Sequence, residues 1–359
     1  MGATSSLEGV TPETNNFSCK VNNFDTEIQD SAPLNGFSSL MQIVNNPSEI
    51  KPDLEESGML RIKTASQWAQ DAAIRPDPKR LWLSLWHEGE LCCLFADSNL
   101  GKSIYAVEIV NEIAKTDKII YFDFELSDKQ FQLRYTDDFG EIFPFSDNFM
   151  RAEIDPNLID AGDFEDEVIS DIERAALLHG INILVIDNIT YLCNTSEKGD
   201  AAGQLMMRLM QLKKKYGLSI LVLAHTPKRP LSSPITQNDL AGSKKLFNFF
   251  DSVFAIGRSA KDENLRYIKQ IKSRAGAFEF GADNVIVSEI VKEGAWLHFK
   301  QIGVSSEKDH LREQSDKDTA QFENNVRDLR SEDKTYQEIA NALGVSKSKI
   351  GRICKRLNI

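Results

Sequence analysis

The sequence predicts an α/β protein: a mainly parallel sheet extended by C-terminal hairpins, followed by a small all-α module. Three observations predict it. Between residues 90 and 225 the runs "ELCCLFA", "KIIYFDF", "INILVID" and "LSILVLAH" alternate with helical patterns such as "KSIYAVEIVNEIAK" and "AGQLMMRLMQLKKKYG". Strands that are apolar throughout, with no polar alternation, are buried on both faces, as in a parallel sheet covered by helices. After residue 251, "DSVFAIGRS", "LRYIKQIKSR", "NVIVSEIV" and "AWLHFKQI" read as strands joined by short loops, hence hairpins that extend the sheet. The last forty residues return to a helical pattern.

In chain order, residues 1–57 are rich in Asn, Ser, Thr, Asp and Glu, with Lys20 and Lys51 their only basic residues, and read as a disordered acidic tail. A short helix is expected at "TASQWAQDAA", capped by Thr64 or Ser66. The α/β domain is placed at 58–303, a polar, charged linker at 304–317, and the helical module at 318–359.

The chain has 359 residues, 41% hydrophobic and 27% charged, enough for one large core and a smaller module. A formal net charge of -12 argues against a surface that coats nucleic acid everywhere, so any such contact needs a local basic patch. No run approaches the roughly 18 apolar residues that span a bilayer, and no basic segment precedes an apolar one at the N-terminus. The expectation is a cytosolic (cytoplasmic) protein without a membrane partner. Cys19, Cys92, Cys93, Cys193 and Cys354 form no C-x-x-C pair, so reduced, mostly buried thiols are expected.

"FADSNLGKS", residues 95–103, approximates the phosphate-loop pattern G-x-x-x-x-G-K-[ST], with Ala96 and Asn99 where glycines are usual. Strand, loop and helix follow in the required order, and Ile104, Val107, Val110 and Ala114 are expected on one helical face. Backbone N–H groups and the helix N-terminus would surround an anion, with Ala96, Asp97, Ser98, Asn99, Leu100, Gly101, Lys102, Ser103 and Ile104 as the nucleotide-binding residues. Lys102 would reach the terminal phosphates of ATP, and the Ser103 hydroxyl would bind Mg²⁺. Asn tolerates the left-handed conformation better than most residues, so Asn99 is the least disruptive replacement for a glycine there.

"INILVIDNIT" ends a strand in Asp187, the form expected of a carboxylate that holds the Mg²⁺ water shell beside such a loop. "IIYFDFELS" brings Glu125 to the same sheet edge, where it could polarise an attacking water; Asp123, two residues earlier, competes for that role. "LVLAHTPK" ends a further strand in His225, a candidate sensor of the γ-phosphate. Lys272 and Arg274 in "YIKQIKSRAG" are expected on one face of a projecting strand, suited to a phosphate contact across a subunit boundary.

These stretches, with "LAGSKKLFNFFDSVFAI", resemble the RecA-like hexameric ATPases, and within them the RepA-type plasmid replication helicases and their mobile-element relatives. The resemblance runs from residue 87 to about 302 and departs from the pattern at Ala96 and Asn99, and at His225 where some relatives have Gln. It implies a RecA-like P-loop fold and a homo-oligomeric ring, a hexamer by analogy, with ATP at each interface. By the same analogy Lys102 and Ser103 serve phosphate and Mg²⁺, Glu125 catalysis, Asp187 the metal, His225 sensing, and Lys272 with Arg274 the neighbouring site.

"TYQEIANALGVSKSKIGRICKRLNI" reads as a helix-turn-helix: Ile339, Ala340 and Leu343 on the first helix, Gly344 at the turn, Val345 beneath, Ile350, Ile353 and Leu357 on the second. Phe322, Val326 and Leu329 mark a third helix. From Gly344 onward there are five basic residues and no acidic one, and Ser346, Lys347, Ser348, Lys349 and Arg352 are expected to face DNA. The function expected is a DNA-acting ATPase, such as a replication or mobilisation helicase. The alternative is an ATP-switched DNA-binding regulator or initiator without unwinding activity. A small-molecule kinase is disfavoured, since neither lid nor acceptor-site pattern is evident.

Overall fold

In the computed structural model, which describes residues 60–359 other than 156, 158–163, 190–191, 193–200, 227–228, 241–243 and 313–315, nine strands form one sheet. The acidic tail expected at 1–57 lies outside the described residues. The chain divides into two units, Met1–Pro76 and Asp77–Ile359. The described part of the first holds helix α1 (Ala65–Ala73), whose N-terminus is capped by the Thr64 hydroxyl accepting from Gln67 N. An exposed Lys63–Asp71 pair and the Lys63 ammonium over the Trp68 ring complete it.

The second unit begins with a small hairpin, β1 (Arg80–Trp82) and β2 (Trp86–His87). There follow β3 (Leu91–Ala96), α2 (Lys102–Ile113), β4 (Ile119–Asp123), α3 (Asp128–Arg134), β5 (Phe149–Ala152), α4 (Phe164–His179), β6 (Ile183–Asp187), α5 (Ala201–Tyr216) and β7 (Ser219–His225). Then come α6 (Lys244–Phe249) and four successive strands, β8 (Ser252–Arg258), β9 (Leu265–Lys272), β10 (Val285–Glu293) and β11 (Trp296–Ser305). The sheet order is β11-β10-β9-β8-β3-β7-β6-β4-β5. Strands β8 to β5 in that order run parallel, and β9, β10 and β11 add antiparallel hairpins. The fold is the mainly parallel, hairpin-extended α/β sheet that the apolar runs predict, consistent with a RecA-like P-loop fold.

Continuous apolar strands let the sheet carry a core on each side. Leu91, Cys93 and Phe95 of β3 pack with α4 and α5 on one face, and Cys92, Leu94 and Ala96 pack with α2 on the other. Each fully buried Leu, Ile, Val or Phe contributes about 1.5–3 kcal/mol. Helix α2 buries more than one stripe: Tyr105, Ala106, Val107, Ile109, Val110 and Ile113 are all covered. The reason is β11, which closes over its outer side. Of the four residues expected on its inner face, Val107, Val110 and Ala114 are buried, and Ile104 instead borders the cleft described below.

The linker expected at 304–317 is corrected by the structure. β11 continues to Ser305, and a 3-10 turn, Glu307–His310, returns to the sheet with both end residues buried. Glu307 accepts from Ile235 N at 2.7 Å and pairs with Lys269 at 2.5 Å, and His310 bonds to Ser259 at 2.8 Å and Ser305 at 2.6 Å. Polar composition concealed this burial because each polar group finds a partner.

The C-terminal helices α7 (Asp316–Ser331), α8 (Tyr336–Ala342) and α9 (Lys347–Leu357) share their own core of Val326, Ile339, Ala340, Ile350, Ile353 and Cys354. Thr335 and Glu338 form a capping box at α8, Gly344 takes a φ of 63° in the turn, and Ser346 caps α9 through Lys349 N. Among the described residues, no helix is long and apolar enough to cross a membrane.

Candidate functional site

Strand register places the chemistry at one edge. Asp123 stands opposite Asp187, and Ala96 opposite His225, so β3, β4, β6 and β7 deliver their last residues together. This is the carboxyl edge, where ligands of open α/β sheets bind.

The loop from β3 to α2 turns through two left-handed residues, Asn99 at φ 64° and Gly101 at φ 85°. It borders a cleft of about 310 Å³ lined by Asp97, Ser98, Asn99, Gly101, Lys102, Ser103 and Ile104 with Glu125, Arg134, His225 and Ile290. Two residues assigned to this lining from sequence are not in it. Ala96 and Leu100 are 1% and 8% exposed and turn their side chains into the core beside α2.

Gly101 is needed for a reason the motif does not convey. A Cβ there would stand 2.7 Å from Ile290 Cδ1 and 3.0 Å from Phe299 Cε2, because β10 and β11 press against the loop. Glu108 reinforces that contact by accepting from Phe299 N at 2.8 Å, and burial pushes its carboxyl up to about 7 even though this hydrogen bond opposes the shift. Gly101→Ala is expected to cost roughly 2–5 kcal/mol, from left-handed strain of about 1–2 kcal/mol and overpacking of about 1–3 kcal/mol. Denaturant unfolding checks this, and parental stability would contradict it.

Lys102 opens α2 with its ammonium directed at Asp187, donating to Oδ1 at 3.4 Å. Asp187 is fully buried, and its Oδ2 accepts from the Tyr121 hydroxyl at 2.5 Å. Glu125 and His225 meet beside the loop, with His225 Nε2 3.1 Å from Glu125 Oε1. Asn188 joins them, its amide donating to Glu125 Oε1 and lying 3.2 Å from His225 Nε2. Glu125 remains about one-third exposed, so its carboxylate is accessible from the cleft.

Asp123 is committed elsewhere. Its Oδ1 accepts from Glu125 N and Leu126 N, and its Oδ2 accepts twice from Arg151, at 3.1 and 2.9 Å. With its side chain 1% exposed, it shapes the turn that presents Glu125 and is in no position to receive a proton from the cleft. The geometry thus separates two carboxylates that spacing alone leaves equivalent.

Lys272 and Arg274 are not part of this cleft within the chain. Lys272 ends β9 opposite Val253, and Arg274 lies beyond the strand, so the two do not share a strand face as expected. Both donate to carbonyls ending α6, Lys272 to Phe247 O at 3.2 Å and Arg274 to Asn248 O at 3.3 Å. Arg274 also pairs with Asp251, which accepts from the first residue of β3, Leu91, at 2.9 Å. They stand at the amino edge of the sheet, on the order of 17 Å from the loop along β3. Burial, then the Arg274 charge, holds the Lys272 ammonium below its usual range.

In the C-terminal helices, Ser346, Lys347, Ser348 and Arg352 are exposed, while Lys349 lies over the Phe322 ring at 5.0 Å. The Ser346 hydroxyl is occupied in capping, and Arg352 Nε donates to Ser348 O. Arg356 pairs with Glu323, which removes one cation from the patch.

Sequence reasoning missed Asn188, Tyr121 and Arg134. Asn188 carries a usable signal, as the polar residue directly after the strand-ending Asp187. Tyr121 sits within an apolar run and Arg134 ends a short helix; neither pattern marks them. Among the described residues, no group of three or more His, Cys, Asp or Glu side chains could hold a metal by itself.

Residues 58–230 match the family model described as an AAA domain, so this stretch is similar to a family of P-loop ATPase domains. The match contains the loop, Glu125, Asp187, Asn188 and His225, and ends before β8 and the C-terminal helices. No curated protein matches the chain.

Proposed function

We propose that this chain binds and hydrolyses ATP and uses it to act on DNA, as a replication or mobilisation helicase of the RepA type working in a homo-oligomeric ring, a hexamer by analogy. The observation that carries the ATPase reading is the convergence of Lys102, Glu125 and His225 on one cleft behind a left-handed loop, with Asp187 buried against the Lys102 ammonium. Lys102 supplies charge to phosphates, Glu125 receives a proton from water, and His225 with Asn188 registers the state of the cleft.

The donor set suits Mg²⁺, which takes hard oxygen ligands and relies on substrate phosphates and water more than on a protein cage. Ser103 borders the cleft and would hold the ion directly, with Asp187 holding its water shell. Bound there, Mg²⁺ neutralises phosphate charge. Lys272 and Arg274, which do not border the chain's own cleft, would serve a neighbouring subunit's site.

The DNA reading rests on α8 and α9, whose tight turn leaves Lys347 and Arg352 exposed. That same feature favours the second reading, an ATP-switched regulator held at one DNA address. A strand-displacement assay on a forked duplex, with ATP hydrolysis followed in parallel, separates the two. The expected result is Mg²⁺-dependent hydrolysis with displacement. Duplex binding without displacement would establish the regulator, and the absence of hydrolysis would overturn the ATPase reading itself.

A further inference from the structure

We propose that Tyr121 is a positioning residue for Asp187: its hydroxyl fixes one oxygen of the buried carboxylate so that the other is presented toward the phosphate loop. The inference rests on the nucleotide-site reading above. Tyr121 and Asp187 are both fully buried, and the phenol donates to Oδ2 at 2.5 Å while Lys102 reaches Oδ1 at 3.4 Å. A carboxylate removed from water needs such partners to remain charged.

The two partners differ in kind. Lys102 borders the cleft and is free to turn to an anionic group there, whereas Tyr121 projects from β4 into the core beneath α2. Its ring is set edge-on against Phe149, with centroids 6.2 Å apart. When the ammonium is drawn to phosphate, the phenol still holds Asp187 in orientation. Its neighbours in the strand, Ile119, Ile120 and Phe122, are purely apolar, and the Tyr121 hydroxyl finds its hydrogen-bond partner in the carboxylate.

Groups that orient metal-site carboxylates typically contribute 10- to 100-fold in metal affinity or activity. The test is equilibrium binding of a fluorescent non-hydrolysable ATP analogue to the full chain across a Mg²⁺ titration. Tyr121→Phe keeps the ring and is expected to raise the half-saturating Mg²⁺ concentration 10- to 100-fold, leaving metal-free nucleotide affinity within about twofold. In an Asp187→Asn background the same change should add nothing further. Phe149→Leu, which alters the packing around the ring but spares the hydroxyl, should leave the Mg²⁺ dependence unchanged. Parental Mg²⁺ dependence in Tyr121→Phe, an equal loss with and without Mg²⁺, or a matching shift in Phe149→Leu would each overturn the proposal. If the parent chain itself binds no nucleotide, the site reading falls and this proposal with it; the other failures leave that reading standing.

Discussion

Lys102→Ala is expected to lower ATP turnover by roughly 10²–10³-fold, the loss seen when one preorganised donor to a developing negative charge is removed. Two consequences follow from one contact. The ammonium is the cation of the loop nearest the cleft, and its side chain is only 5% exposed, so its charge acts with little screening by water. It is also the cationic partner of Asp187, which is fully buried. Removing one member of a buried ion pair typically costs about 3–5 kcal/mol, because the other charge is left uncompensated. At 3.4 Å the pair is long, and the Tyr121 hydroxyl keeps one hydrogen bond to Asp187, so the lower end of that range is expected. Thermal unfolding and steady-state hydrolysis should therefore both fall. Lys102→Arg separates the two effects: the charge near Asp187 persists and stability recovers, while a planar guanidinium does not reproduce the compact ammonium and turnover stays low. Hydrolysis at the parental rate in Lys102→Ala would remove the loop from the reaction.

The fold was legible where one physical requirement dominates. A strand buried on both faces must be apolar throughout, so β3, β4, β6 and β7 announce themselves, and their common polarity brings Asp187, Glu125 and His225 to one edge. Asn99 was legible for a steric reason, and its φ of 64° is the conformation that makes Asn the tolerable substitute for glycine. What stayed hidden depends on contacts between segments distant in sequence. Gly101 is pressed by Ile290 and Phe299, nearly 200 residues away, and the motif alone suggests only an approach to phosphate. Residues 304–311 look like a linker until Lys269 and Ile235 are seen to satisfy Glu307. β1, β2 and β5 have two to four residues each, too few for a period to register. Lys272 and Arg274 illustrate a third kind of gap: their charge was visible, but a bend after β9 turns Arg274 off the strand, and α6 supplies carbonyl partners for both.

Glu125→Gln tests the division of labour between the two carboxylates most sharply. Gln is nearly isosteric and retains an oxygen to accept from Asn188, so the cluster with His225 should keep its shape. What is lost is the capacity to take a proton, and a positioned general base contributes roughly 10²–10⁴-fold in rate. Turnover should fall by that factor while affinity for ATP stays within about twofold, a split that Lys102→Ala should not show. The corresponding change at Asp123 should behave differently. Asp123→Asn replaces a carboxylate that accepts four hydrogen bonds, two of them from Arg151, and leaves that guanidinium with Glu153 as its remaining charge partner. Its first effect should be on stability, with any loss of turnover following from disorder of the turn at Glu125. If Asp123→Asn instead abolished hydrolysis in a fully stable protein while Glu125→Gln turned over ATP normally, the assignment of the base would pass to Asp123. The hydrogen bonds around Asp123 would then have to open during the reaction. Measured side by side, turnover, nucleotide affinity and unfolding midpoint for the two variants decide which carboxylate faces the water.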